Sequence, residues 1–237
     1  MSMSRDITRR SRIRDRLCAS RSLILLCGAI VAAGVLCSRP RFANFIEPQR
    51  MGLSPHRELD QLLLAAERQD EPTFRQLLGH SGLDLDCLDA DSMNPLLRTA
   101  RNGWIDGCRL LLERHAKANV ADANGRSPLQ YAVLVHGSDA MTLVELLLKH
   151  GAEVDHPDRI GETALTLAAI FDRRDIARRL LAAGADVNHH ARNGFTALHW
   201  AAFCDNPEMS QLLLDAGADP HATDDVGATP ADVAQHH

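Results

Sequence analysis

The residues of this chain best suited to chemistry are its histidines, cysteines and aspartates. The chain has 12 His and 6 Cys, with histidine pairs at His189-His190 and His236-His237. Adjacent side chains in a loop point apart, so we expect these pairs to be polar loop residues rather than metal ligands. The cysteines show no Cys-x-x-Cys spacing and no cluster with histidine, so they indicate neither a zinc site nor a disulfide framework.

No sequence signature of catalysis is present. The chain has no nucleophile elbow, phosphate-binding loop, dinucleotide fingerprint, HExxH helix or calcium loop. Carboxylate pairs such as Asp224-Asp225 fall in turns, where aspartate is expected because its side chain bonds the backbone. We therefore predict that the protein is not an enzyme and uses no cofactor or metal.

The elements that position these residues are repeated units. The segment Gly194–Ala202 has looser copies beginning at Gly125 and Gly161, and weaker ones near Ser92 and Gly227. A Ser, Thr or Asn recurs at intervals of 33, 36, 33 and 33 residues, at Asn94, Ser127, Thr163, Thr196 and Thr229. A period near 33 indicates a stacked array, which offers a surface for binding rather than a pocket for catalysis.

Each unit predicts two helices. A turn with Asp and Gly, such as Asp158 to Gly161, precedes the Ser or Thr, which is an N-cap residue for a short first helix. A second helix carries a leucine run and ends at a glycine suited to the left-handed conformation. These glycines are Gly151, Gly184 and Gly217.

The recurring Thr-Pro/Ala-Leu, Ala-Ala, Leu-Leu and Gly-Ala-Asp signatures resemble the ankyrin-repeat family over residues 57–237. The resemblance implies an all-α solenoid of helix-turn-helix-loop units, with a concave face formed by first helices and loop tips. It also implies that His199 braces its loop. The predicted units are a degenerate cap at 57–88, full units at 89–121, 122–157, 158–190 and 191–223, and a truncated unit at 224–237.

Two departures from the repeat are predicted to change the local backbone. His115 stands where other units have the helix-ending glycine, which costs about 1 kcal/mol if the left-handed geometry is kept. The third unit carries three extra residues around Val135–Asp139, which predicts a longer turn between its helices.

Charge divides the chain into a basic head and an acidic array. Residues 1–51 hold ten arginines and three acidic residues, whereas residues 52–237 hold 16 basic and 28 acidic residues. The array therefore has a net charge of −12, which repels phosphate and argues against nucleic-acid binding.

The head, residues 1–37, has the layout of an export signal. The 15 residues Leu23–Cys37 carry no charge and follow an arginine-rich stretch. As a helix they rise roughly 22 Å, which is short for a bilayer core of about 30 Å. A spacer containing several prolines follows at 38–56.

Three outcomes for the head stay open: cleavage after Ala33, retention as an anchor, and lipidation at Cys37, whose surroundings resemble a bacterial lipoprotein signal. A twin-arginine signal and a cytosolic protein with a buried N-terminal helix are further alternatives. We expect a location at the cell membrane with the array on the extracytoplasmic side. A periplasmic or secreted product after cleavage is the alternative.

Apolar residues at the ends of first helices and at loop tips are candidates for partner binding. They form an exposed stripe or pack, buried, between repeats, and the sequence leaves both open. We predict a membrane-tethered module that binds a protein of unknown identity. The alternative is a soluble regulator that stabilises or inhibits an enzyme. The candidates are Ile160, Ile170, Phe171, Phe195 and Phe203.

Overall fold

The computed structural model describes residues 57–79 and 83–235, and every regular element in these ranges is an α-helix, which confirms the all-α prediction there. The head, the spacer and the lipidation candidate Cys37 lie outside the described residues. The helices are α1 Arg57–Arg68, α2 Glu71–Leu78, α3 Pro95–Arg101, α4 Ile105–Glu113, α5 Pro128–Leu134, α6 Asp139–Lys149, α7 Ala164–Ile170, α8 Arg174–Ala182, α9 Ala197–Phe203, α10 Pro207–Asp215 and α11 Pro230–Ala234.

The helices form five successive pairs, from α1–α2 to α9–α10, and α11 follows as a further first helix. Each first helix packs against the first helices of the neighbouring pairs, and each second helix packs against the neighbouring second helices. Two helical layers result, one of short first helices and one of second helices. The apolar core lies between these layers and between successive pairs.

Side-chain caps begin the first helices at the predicted positions. At α7, Thr163 Oγ1 accepts a hydrogen bond from the Thr166 backbone N–H at 3.4 Å, and Thr166 Oγ1 accepts from the Thr163 N–H at 2.7 Å. Such reciprocal caps satisfy backbone donors that the helix leaves unpaired, and each stabilises the helix by about 1 kcal/mol. The capping residues of α3, α5, α7, α9 and α11 are Asn94, Ser127, Thr163, Thr196 and Thr229.

The turns before the first helices bond to one another. The Arg159 N–H donates to the Asn124 carbonyl at 2.9 Å, and one repeat later the Arg192 N–H donates to the Ile160 carbonyl at 3.0 Å. Gly161 makes this approach possible because its φ is +84° and an added Cβ would lie 2.8 Å from the Arg192 nitrogen. Consecutive turns are therefore stacked at backbone contact distance.

A second set of hydrogen bonds between repeats joins the segments that follow the second helices. Asn188 Nδ2 donates to the Gly217 carbonyl at 3.2 Å, and its Oδ1 accepts from the Asp219 N–H at 2.8 Å. The role of these residues was not predicted from the sequence, although they recur at the same intervals of 33, 36 and 33 residues. The residues that reach forward in this way are Asp86, Asn119, Asp155 and Asn188.

The left-handed helix ends are confirmed. Gly151, Gly184 and Gly217 follow the second helices with φ of +81°, +93° and +92°. His115 adopts the same conformation, with φ of +64°, and therefore carries the strain expected of a residue with a Cβ.

The extra residues of the third unit are divided between a turn and a helix. The turn 135–138 has four residues, whereas the equivalent turns before α4, α8 and α10 have three. Helix α6 has 11 residues, whereas α8 has 9. The insertion therefore lengthens the unit only between the end of the first helix and the end of the second.

A candidate protein-binding surface

Phe195 lies in the core, so its prediction as part of an exposed stripe is wrong and the alternative of packing between repeats applies to it. Its side chain is 2% exposed, its ring stacks on His199 at 5.2 Å between centroids, and it meets Trp200 edge-on at 5.1 Å. The reason is local. Phe195 precedes the N-cap residue of α9 and Trp200 is the fourth helical residue, and this spacing brings two apolar side chains together across a helix start.

The same position is buried in other repeats, where Met93 is 3% and Glu162 is 2% exposed. His199 supports the arrangement through its Nδ1, which accepts from the Thr196 N–H at 3.2 Å. It therefore braces the turn, as the family resemblance implied.

Three of the candidates lie together at the ends of two neighbouring first helices. Ile170 ends α7, Phe171 follows it, and Phe203 ends α9; all three are partly exposed. Cys204 Sγ lies 3.8 Å from the Ile170 carbonyl oxygen, which places the two helix ends side by side. We refer to Ile170, Phe171 and Phe203 as the helix-end patch.

Ile160 lies apart from this patch. Its side chain is 40% exposed at the tip of the turn that precedes α7, whereas Ile170 is the last residue of that helix. Seven helical residues rise roughly 10 Å. The five candidates therefore occupy three places: a loop tip, the helix-end patch and the core.

A buried carboxylate links two repeats beside the first helices. Trp200 Nε1 donates to Glu162 Oε1 at 2.9 Å, while Glu162 Oε2 has no hydrogen-bond partner among the described residues. Burial raises the pKa of Glu162 to about 7; the hydrogen bond from Trp200 opposes this rise, and the nearby charge of Asp158 adds to it. The sequence did not reveal this pair, because Glu162 occupies the position equivalent to Phe195 but its partner Trp200 belongs to the next repeat.

A second polar group lies one repeat nearer the N-terminus. Tyr131 donates its hydroxyl to Asp122 Oδ2 at 2.6 Å, and burial, together with the Asp122 carboxylate, raises the pKa of Tyr131. Arg126 Nε is buried 4.0 Å from Asp158 Oδ2 and has no hydrogen-bond partner within residues 57–79 and 83–235. Further towards the N-terminus, Arg98 pairs with Asp89. Beside the first helices, the polar groups thus lie in the N-terminal repeats, whereas the cluster of aromatic rings lies at α9.

Comparison with known proteins decides the family. A family model described as "Ankyrin repeats (3 copies)" matches residues 62–158 and 135–224, more than half of the chain. The chain belongs to the ankyrin-repeat family. The predicted resemblance is therefore confirmed, and the ankyrin repeats identify this part of the chain as a protein–protein interaction module.

The relatives share only their ankyrin segments with this chain. The homolog of ankyrin repeat and LEM domain-containing protein 1 from Caenorhabditis elegans is 49% identical over 78 residues, 33% of this chain and 11% of the relative. Neurogenic locus notch homolog protein 1 from Xenopus tropicalis is 35% identical over 121 residues, 51% of this chain and 4% of the relative. Rat cortactin-binding protein 2 is 38% identical over 65 residues, 27% of this chain and 4% of the relative. The chain thus covers far less than two thirds of each.

The histidines of the ankyrin turns serve the backbone. His189 Nε2 lies 3.0 Å from the Gly161 carbonyl oxygen, whereas His190 Nδ1 lies 2.9 Å from that of Gly194. The two rings therefore bond different turns. Across residues 57–79 and 83–235, no group of three His, Cys, Asp or Glu side chains is close enough to hold a metal ion. In this part of the chain, none of the helices has the length and apolar character needed to cross a membrane.

Proposed function

We propose that this ankyrin array captures another protein through Ile160 and the helix-end patch and performs no catalysis itself. One observation carries the proposal: two neighbouring repeats leave apolar side chains at the surface on their first-helix side. Ile160 is 40% exposed at its loop tip, and the helix-end patch, partly exposed, takes Ile170 and Phe171 from the same repeat and Phe203 from the next.

The energetics and the dimensions of this surface suit a partner. Covering apolar area contributes roughly 25 cal/mol for each Å² removed from water. A protein interface of ordinary size covers about 800 Å² on each partner, so the roughly 10 Å along α7 between the loop tip and the patch fits within one interface. Large aromatic side chains such as Phe171 and Phe203 are the kind that dominate binding energy when a partner covers them.

The proposal includes tethering to a membrane. It is supported by the uncharged run Leu23–Cys37 and the arginines before it, which favour an array on the extracytoplasmic side of the cell membrane. Cleavage after Ala33 instead yields a soluble periplasmic or secreted regulator, which stabilises or inhibits an enzyme. The acidic array argues for protein rather than nucleic acid as the partner.

Intact-mass measurement of the mature protein tests the location. An uncleaved mass supports an anchor, and a diacylated N-terminus at Cys37 supports a lipoprotein. A mature chain beginning at Gly34 contradicts tethering and supports the soluble alternative.

Quantitative affinity capture after crosslinking tests the binding surface. The double variant Ile160→Ser/Phe171→Ser is expected to lose the proteins that the full chain enriches. Leu214→Ser is the matched control because Leu214 is 38% exposed on the second helix α10. The melting temperature of each variant is measured in parallel. Unchanged enrichment with the double variant would contradict the proposed surface, and no specific enrichment by the wild-type chain would contradict the function.

A further inference from the structure

We propose that the loop tips carrying Arg159, Ile160 and Arg192 dock a short acidic segment of a partner protein, in which carboxylates flank an apolar side chain. We call these three residues the arginine tip. The inference rests on the proposed function and adds the chemistry of the partner to one of its contact sites.

The backbone brings these three residues close together. Arg159 and Ile160 are adjacent on one turn, and the Arg192 N–H donates to the Ile160 carbonyl at 3.0 Å from the next turn. Backbones joined in this way lie about 5 Å apart. All three residues are exposed, so two cationic side chains and one apolar side chain are accessible to a single short segment.

The two arginines lack partners of their own. Within the described part of the chain, neither the Arg159 nor the Arg192 side chain makes an ion pair or a hydrogen bond. Exposed arginines on the second helices behave differently. Arg75 lies 2.7 Å from Glu71 and Arg109 lies 2.8 Å from Asp106. The arginine tip therefore presents guanidinium groups whose donors are available to a partner.

The aspartates of these turns do not pair with the two arginines. Asp158 Oδ1 accepts from the Ile160 N–H at 3.0 Å and from the Glu162 N–H at 2.9 Å, and the residue is buried. Ala191 takes the place of this aspartate in the next turn. Exposed Asp225, on the turn after that, makes no ion pair with either arginine within the described residues.

The charge of the array favours a short acidic segment over a large anionic surface. Residues 52–237 carry a net charge of −12, so an extended anionic surface meets repulsion beyond the arginine tip. A guanidinium binds a carboxylate through two parallel hydrogen bonds, so each arginine favours a single carboxylate at the right place. Exposed Ile160, next to Arg159 in the chain and bonded through its backbone to Arg192, adds an apolar contact that selects a segment with an apolar residue among its acids.

Fluorescence anisotropy with a labelled peptide of repeating Glu-Leu-Glu tests the proposal on the full chain in detergent. We expect binding that weakens as salt is raised, no binding of the Gln-Leu-Gln counterpart, and a loss of affinity of tenfold or more in Arg159→Glu/Arg192→Glu. The matched control Arg75→Glu/Arg109→Glu makes the same change in net charge on α2 and α4, and its affinity is expected to stay within twofold of wild type.

Several outcomes overturn the inference: no binding of the acidic peptide, equal loss in the tip and control variants, or arginine-tip-dependent flotation with phosphatidylglycerol vesicles without peptide binding. The proposed function still holds after any of these results if the wild-type chain enriches a partner that the Ile160→Ser/Phe171→Ser variant does not. Failure of that capture bears on the proposed function instead.

Discussion

The indole N–H of Trp200 donates to the carboxylate of Glu162 at 2.9 Å, across 38 residues of sequence and between two successive ankyrin repeats. Glu162 is 2% exposed, and its second oxygen has no partner in the part of the chain that the structure describes. A charged carboxylate is poorly solvated there, so the folded state favours the protonated form. The contact between these two repeats therefore contains an ionisable group.

This contact makes stability depend on pH in a defined direction. Burial raises the pKa of Glu162 from 4.5 to about 7. Because the folded state holds the proton more tightly, the contribution of this group to the free energy of unfolding is greatest below pH 4.5 and falls as the pH rises to 7. The loss is on the order of 3 kcal/mol.

Glu162→Gln is expected to remove this dependence because the amide keeps an acceptor for Trp200 without carrying charge. Urea denaturation between pH 5 and pH 8 should show the variant more stable than wild type at pH 8, with the difference shrinking towards pH 5. The exposed Glu208→Gln serves as the control. Parallel stability curves for wild type and Glu162→Gln would show that the carboxyl group does not titrate with folding.

Phe195→Ala is expected to destabilise the array by about 3–5 kcal/mol because it leaves a cavity beside His199 and Trp200. Thermal and chemical denaturation measure the change. Leu214→Ala, at an exposed position, should cost less than 1 kcal/mol. A small effect at Phe195 together with lost partner capture would return this residue to the binding surface.

Comparing Gly161→Ala with Gly184→Ala distinguishes two requirements for glycine: a positive φ and the close approach of a neighbouring backbone. Both positions have positive φ, but an added Cβ at Gly161 would lie 2.8 Å from the Arg192 nitrogen, whereas one at Gly184 meets no atom within 4 Å. Each variant carries the left-handed strain of about 1 kcal/mol, and Gly161→Ala adds roughly 1–3 kcal/mol from displaced backbone. Equal losses in the unfolding free energy would mean that the turns are not held at contact distance.

His115→Gly is expected to stabilise the array by about 1 kcal/mol because His115 has φ of +64° where equivalent repeats have glycine. The neighbouring His150 has φ of −94°, so His150→Gly should not stabilise. The comparison is made by differential scanning calorimetry. Destabilisation by His115→Gly would indicate that the imidazole makes contacts that outweigh the strain.

Local backbone chemistry explains why much of the fold is predictable from the sequence. The capping role of Thr163 and the left-handed turn at Gly184 depend on neighbouring residues alone. The period then stacks these units because each repeats the same local structure.

The direction of individual side chains was harder to predict. Phe195 and Ile160 both flank a turn, yet one is buried and the other exposed, because only the residue next to the N-cap faces the helix start. The burial of Glu162 went unrecognised since its partner Trp200 belongs to another repeat. The forward bonds of Asn119 and Asn188 likewise join residues about 30 positions apart, which no local pattern displays.

The position of the extra residues in the third unit has a consequence for how this array accommodates change. Helix α6 and the turn before it absorb all three, while the stacked turns keep their bonds on either side. The third unit therefore accommodates its extra length at the second helix, while the spacing of the turns is kept. Grafted peptides, affinity tags or reporter groups inserted between Val135 and Asp139 should consequently leave the arginine tip and its neighbours in register.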